Sequence, residues 1–101
     1  MFVKMYQYHI SLDKVDEYLY IQQQAKRLYN KYIRYQSTHL NSNKDRTKWI
    51  ELSIYESEEV YQSSITFINQ EKEIQSLYRQ FESIVIDRSE IKEEDFTKYQ
   101  L

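Results

Sequence analysis

The spacing of apolar and polar positions along the chain predicts four strands and two long helical segments. Apolar alternation favours strands over residues 2–10, 32–40, 47–56 and, more weakly, 95–101. Apolar residues at three- and four-residue intervals predict helices over about 12–31 and from Ser57 to about residue 85. Ser57, followed by two acids, is interpreted as a helix cap, and Asn69-Gln70-Glu71 interrupts the second helix. The acidic residues 87–94 are interpreted as a connection.

The order of these elements is that of a ferredoxin-like βαββαβ fold. We therefore expect a single α+β domain over residues 1–101, with a four-stranded antiparallel sheet and all helices on one face. A hairpin turn centred on residues 43–44 would place Tyr35 opposite Leu52. In that register Tyr35, Ile50, Leu52 and Ile54 face the helices.

The opposite face of such a sheet would be left uncovered and partly apolar. The expected occupant is a second copy of the chain, packed face to face about a two-fold axis. The candidate interface residues are Val3, Met5, His9, Leu40, Trp49 and Tyr55. The alternative is a solvated face with isolated hydrophobic residues, which antiparallel sheets tolerate.

Composition narrows the functional classes. The chain has 101 residues, no Gly, no Pro, no Cys and a net charge of −2. It therefore lacks glycine phosphate loops, thiol chemistry and a basic field for nucleic acid. No apolar run is long enough for a membrane span, and the first residues do not form a signal peptide, so we expect a cytoplasmic protein. The 11 Tyr are typical either of a binding surface or of a compositional bias.

At this level the chain resembles a known family. The segment IYESEEVYQSSITF, with Tyr55, Ser57, Glu58, Glu59 and Tyr61, is similar to the third-strand exit of antibiotic-biosynthesis-monooxygenase (ABM) proteins. The element order and the break at Asn69-Gln70 also resemble that family. The resemblance implies a dimeric α+β barrel. It also implies a family that includes cofactor-independent oxygenases, haem-degrading enzymes and members with no known reaction.

The haem-degrading branch is not favoured by the residues. That branch uses an Asn, a Trp and an axial His at positions that fall on Tyr6, Ser64 and Ile74 of this chain. None matches, and no His follows His39. We therefore expect no haem. We also expect no other cofactor and no metal site, since the acidic residues 87–94 lack the ligand spacing of a calcium loop.

Cofactor-free oxygenation would require a base, hydrogen-bond donors and a dry cavity. The candidate pocket-lining residues between sheet and helices are Tyr6, Tyr8, Tyr35 and His39, with Leu19 and Ile65 as further walls. The leading hypothesis is an ABM-like monooxygenase acting on a small aromatic or lipophilic molecule, and it requires a void larger than one or two waters. The alternatives are a non-catalytic dimeric binding or regulatory module, its pocket filled by its own Tyr side chains, and an element of a heteromeric complex. The sequence leaves open whether the chain is an enzyme.

Overall fold

The computed structural model describes all 101 residues. Its strands are β1 (Phe2–His9), β2 (Tyr35–Asn41), β3 (Lys48–Tyr55) and β4 (Lys92–Thr97). Its helices are α1 (Val15–Tyr29), α2 (Glu58–Asn69) and α3 (Lys72–Ile84), with short 3-10 turns at Leu12–Lys14 and Arg88–Glu90. None of the helices combines the length and the apolar character needed to cross a bilayer.

The four strands form one antiparallel sheet in the order β2-β3-β1-β4. This order, with the helices on one face, confirms the predicted ferredoxin-like α+β fold. The helices cover the face that carries Tyr8 and Tyr55, both buried in the core with Tyr18 and Leu28 of α1 and Leu77 of α3. The core is therefore a single layer between one sheet face and the helices.

Local signals place the start of α2 and the break after it where the sequence predicts them. Ser57 caps α2, because its hydroxyl accepts a hydrogen bond from the Val60 amide at 3.1 Å. Helix α2 ends at Asn69 and α3 begins at Lys72, which confirms the predicted interruption. A side-chain amide bridges the break, since Gln75 donates to the Asn69 carbonyl at 3.0 Å.

The predicted register of the β2–β3 hairpin is wrong by three residues. Tyr35 pairs with Tyr55 instead of Leu52. The cause is the connection, which is longer than a tight turn: Ser42 accepts from the Lys44 and Asp45 amides, and Asp45 accepts from Thr47. Because side chains alternate between faces, a shift of an odd number of residues exchanges the two faces of β3.

The exchange moves two proposed interface residues into the core. Trp49 and Tyr55 lie under the helices, 8% and 3% exposed, so their assignment to a dimer face is wrong. Trp49 packs against Tyr18 of α1, with ring centroids 4.7 Å apart. In their place Ile50, Leu52 and Ile54 lie on the open face of the sheet, the face away from the helices. Val3, Met5, His9 and Leu40 lie on that open face as well.

The last strand begins earlier than predicted, at Lys92 instead of residue 95, within the expected connection. Its six residues are all exposed at the edge of the sheet. Lys4 of β1 holds β4 against the sheet, because the Lys4 ammonium lies 2.5 Å from Glu93 and 2.9 Å from Asp95. Burial lowers the pKa of Lys4, but the two carboxylate hydrogen bonds outweigh it and raise the pKa to about 12.

The Ser57 cap provides a test of the helix boundary. Replacing Ser57 by Ala should lower the free energy of unfolding by about 1 kcal/mol, because the Val60 amide loses its acceptor. Urea denaturation measures the change. Ser63→Ala, inside the exposed face of α2, is the matched control and should have little effect. Equal losses in both variants would contradict the capping role.

Candidate functional site

A cavity of about 710 Å³ lies between the helix-covered face of the sheet and the three helices. This is many times the roughly 30 Å³ that a water molecule occupies, and it falls within the usual range for small-molecule sites. The requirement for a void larger than one or two waters is therefore met. The cavity could hold a ligand of two or three fused rings.

The four residues predicted to line a pocket, Tyr6, Tyr8, Tyr35 and His39, all border this cavity. The Ile65 wall is present as well. Leu19 is not, because it projects away from the sheet and is 40% exposed. Ile21 and Ala25 supply the α1 wall instead.

A row of polar and titratable side chains crosses the cavity floor. His39 of β2 and Glu51 of β3 are direct cross-strand partners, and Tyr6 of β1 is the partner of Glu51 on the other side. Glu93 of β4 continues the row beside Tyr6. Directly opposed residues on one face of an antiparallel sheet have Cβ atoms about 5 Å apart. Antiparallel pairing therefore brings together four groups that lie far apart in sequence.

Glu51 is the functional candidate that the sequence analysis missed. Its Oε2 accepts a hydrogen bond from the Tyr8 hydroxyl at 3.0 Å, and no ion pair involves it. Its Oε1 has no hydrogen-bond partner. This oxygen is nevertheless accessible, because the only fully buried side-chain nitrogen or oxygen that lacks a hydrogen bond is Trp49 Nε1. Burial raises the pKa of Glu51, and the Tyr8 hydrogen bond only partly opposes this.

The signal for Glu51 was present in the sequence. It shares its strand face with Trp49 and Tyr55, two large aromatic residues that belong in a core. The wrong hairpin register placed all three on the open face and concealed the carboxylate. A charged residue between two aromatics on a buried face indicates a site, because an unpaired buried carboxylate destabilises the fold.

Two further tyrosine side chains of the cavity are potential hydrogen-bond donors to a ligand. The hydroxyls of Tyr29 and Tyr35 make no hydrogen bond to any protein group and border the cavity. Burial, reinforced by the negative charge of Glu51, raises the pKa of Tyr35 to about 12. Burial, with neighbouring Tyr61 and Glu51, likewise raises the pKa of Tyr29. Both side chains therefore keep their protons at neutral pH and remain available to donate.

His39 lies beside Glu51 and is held by α1. It donates from Nε2 to Gln22 Oε1 at 3.2 Å, which leaves Nδ1 without a proton. Burial, and secondly the positive charge of Lys26, lowers the pKa of His39. The imidazole is therefore neutral near pH 7 and is a second acceptor at the floor of the cavity.

His9 is separate from this site. It lies on the open face, where its Nδ1 is 2.9 Å from the Thr47 hydroxyl and 3.6 Å from Asp45. No group of three His, Cys, Asp or Glu side chains is arranged to hold a metal ion. The cavity thus offers one accessible carboxylate oxygen, one neutral imidazole and free phenol donors, a set suited to taking a proton from a ligand and stabilising the anion formed.

The raised pKa of Glu51 predicts a pH-dependent stability difference. Between pH 4.5 and its folded-state pKa the folded protein binds more protons than the unfolded chain, so the free energy of unfolding falls as pH rises. Glu51→Gln removes this effect and should be more stable than wild type at pH 8, with the gap closing by pH 4. Each pH unit by which the pKa is raised contributes about 1.4 kcal/mol.

Urea titrations at both pH values measure this difference. Glu56→Gln, an exposed change at the end of β3, is the control and should not show the pattern. If the stability of Glu51→Gln relative to wild type does not increase between pH 4 and pH 8, the Glu51 carboxylate is solvated and its pKa is not raised.

Comparison with known proteins bears on the fold. No protein-family model matches the sequence, and no curated protein matches it. Solved structures do match. A NIPSNAP domain protein of Burkholderia xenovorans superposes with a TM-score of 0.76 at 15% identity, over 98% of this chain and 95% of that one.

Two further matching structures are of oxygenases. SnoaB, a cofactor-independent oxygenase from Streptomyces nogalater, has a TM-score of 0.76 at 6% identity, over 99% of this chain and 94% of that one. An antibiotic biosynthesis monooxygenase has a TM-score of 0.73 at 8% identity, over 99% and 100%. The chain therefore has the ABM-like fold that ABM monooxygenases and NIPSNAP proteins share.

Proposed function

We propose that the protein is a cofactor-independent monooxygenase that acts on a small aromatic molecule bound in the cavity, with Glu51 as the base. The observation that carries the proposal is the accessible Oε1 of an unpaired carboxylate inside an aromatic cavity. Its raised pKa brings Glu51 closer to the neutral range in which a general base is most effective. The likeness to SnoaB supports the reaction class by fold analogy alone.

Charge conservation lowers the cost of the first step in such a site. When an uncharged ligand gives a proton to ionised Glu51, the total charge inside the cavity stays the same. The negative charge moves from the carboxylate to the ligand, where the Tyr29 and Tyr35 hydroxyls can donate to it. The low dielectric of the interior strengthens those hydrogen bonds.

The oxygen step needs no further reductant. A ring CH₂ made acidic by conjugation with a carbonyl of the same ring system loses one proton to Glu51, and the carbanion adds to O₂ to give a peroxide. The peroxide regains that proton, and its O–O bond then breaks with loss of water. A carbonyl remains where the CH₂ was, so one oxygen atom enters the product and the other leaves as water.

Anthrone, a tricyclic ketone with such a CH₂ group, is a suitable probe. The wild type should consume one O₂ for each anthrone oxidised, and Glu51→Gln should lower the rate by about 10²-fold or more, because the base is lost. An oxygen electrode and the absorbance of the product measure both quantities. Glu56→Gln is the control and should match the wild type. Full activity in Glu51→Gln would contradict the role of Glu51.

The same cavity suits a second function, a non-catalytic binding module. Tyr hydroxyls and rings bind an aromatic ligand without any proton transfer. A change in Trp49 fluorescence on addition of ligand measures binding, and an oxygen electrode measures oxygen uptake with a panel of acidic ring ketones. Binding without oxygen uptake for any of these ketones would replace the oxygenase function by the binding function.

We also propose that the protein works as a homodimer joined through the open face of the sheet. The centre of that face is apolar and uncharged: Met5, Ile50, Leu52 and Ile54, with Leu40 at 48% exposure beside them. Charged side chains lie at its margin, on Lys48, Lys92 and Glu94. Four strands of this length span roughly 500 Å² in projection, so two such faces reach about the 1,000 Å² at which stable interfaces begin.

A lysine at the centre of the open face tests the dimer. The wild type should sediment at twice the chain mass at micromolar concentration. Leu52→Lys should sediment as a monomer, because a dimer of this variant would bury an unpaired charge. Phe67→Lys, on the exposed side of α2, is the control and should remain dimeric. A wild type that sediments as a monomer would contradict the proposal.

A further inference from the structure

Two buried phenol hydroxyls form a hydrogen-bond chain that ends at Glu51. The Tyr8 hydroxyl donates to Glu51 Oε2 at 3.0 Å and lies 2.7 Å from the hydroxyl of Tyr18. Tyr18 belongs to α1 and is 0% exposed, and Tyr8 is 1% exposed. These two hydroxyls therefore connect the first turn of helix α1 to the floor of the cavity without contact with solvent.

Counting protons fixes the direction of this chain. Each phenol has a single hydroxyl proton, and burial raises the pKa of both Tyr8 and Tyr18, so neither is lost near neutral pH. Ionised Glu51 can only accept hydrogen bonds, and Tyr8 must therefore donate its single hydroxyl proton to Oε2. The Tyr8 oxygen then accepts from Tyr18, which has no other hydrogen-bond partner.

Aromatic packing holds both rings in place. The Tyr8 ring packs edge-on against Phe81 of α3, with centroids 4.8 Å apart and planes at 79°. The Tyr18 ring packs against Trp49 at 4.7 Å and against His39 at 6.1 Å. The rings are thus held by contacts that do not involve their hydroxyls, and a Tyr→Phe change removes the hydrogen bond while keeping the packing.

The other groups around Glu51 do not offer a competing partner. Side chains of six other elements share the cavity with it: Tyr6 of β1, His39 and Tyr35 of β2, Tyr29 of α1, Tyr61 of α2, Arg79 of α3 and Glu93 of β4. Glu93 is paired with Lys4. None of them forms a hydrogen bond or an ion pair with Glu51. Its one hydrogen bond from the protein comes through Tyr8.

We infer that Tyr18 is a positioning residue for Glu51: it holds the Tyr8 hydroxyl so that its proton points at Oε2, which turns Oε1 toward the ligand. The inference rests on the proposed role of Glu51 as the base but not on the oxygen chemistry. Tyr18 does not line the cavity, so its influence on a bound ligand passes through two hydrogen bonds.

A double-mutant cycle tests this chain in the free protein. The ¹³C resonance of the Glu51 side-chain carboxyl is titrated in wild type, Tyr8→Phe, Tyr18→Phe and the double variant. Tyr8→Phe should raise the midpoint by about one pH unit, because the ionised form loses its donor. Tyr18→Phe should raise it by less, and Tyr18→Phe should add nothing once Tyr8 is Phe.

Tyr20→Phe, an exposed change on the same helix, is the matched control and should leave the midpoint unchanged. An unaltered midpoint in Tyr18→Phe, or equal shifts by that change with and without Tyr8, would overturn the inference. If a variant does not fold, an NMR spectrum of the wild type still tests the inference. The hydroxyl protons of Tyr8 and Tyr18 should exchange slowly and show a cross-peak with each other, and the absence of these signals would contradict the hydrogen-bond chain.

The titration requires no substrate, so its outcome is separate from that of the anthrone assay. The expected shifts without any oxygen uptake would leave Tyr18 as a positioning residue and remove the oxygenase proposal. Oxygen uptake that depends on Glu51, with no coupling between Tyr8 and Tyr18, would do the reverse.

Discussion

The pairing register of β2 with β3 is the constraint on which the rest of the structure depends. It places Tyr35 opposite Tyr55 and His39 opposite Glu51, and so decides which side of β3 the helices cover. With this register Trp49 and Tyr55 complete the core, Glu51 enters the cavity, and the isoleucines of β3 lie on the open face. A shift by any odd number of residues would reverse all of these placements together.

The register also places a carboxylate beneath the helices. Burial of an ionised group without a partner is unfavourable, and here a single phenol hydrogen bond and a polar row across the floor compensate in part. The aromatic core around Tyr8 and Tyr18, which contacts Glu51 through the Tyr8 hydroxyl, contributes to the stability of the fold. Departures from simple patterning of this kind are expected at functional sites.

Much of the fold could be predicted from the sequence because the signals are local. The Ser57 cap, the break after Asn69 and the alternation in β1 each depend on a few neighbouring residues. The face of β3 could not be predicted in the same way, since both of its sides are apolar and the connection has no Gly or Pro to mark its turn. Tyr6, Tyr8, Tyr35 and His39 lie on the predicted side of the sheet because their orientation does not depend on that turn. Glu51 was missed because its orientation does.

Cysteine cross-linking measures the register directly, since the chain has no cysteine of its own. Ser37 and Ser53 are opposite each other in the observed pairing, and directly opposed Cβ atoms lie close to the separation that a disulfide requires. With the observed register, Ser37→Cys with Ser53→Cys should form a disulfide on mild oxidation, while Ser37→Cys with Ile50→Cys should not. Cross-linking of the second pair in place of the first would contradict the placement of Glu51 in the cavity.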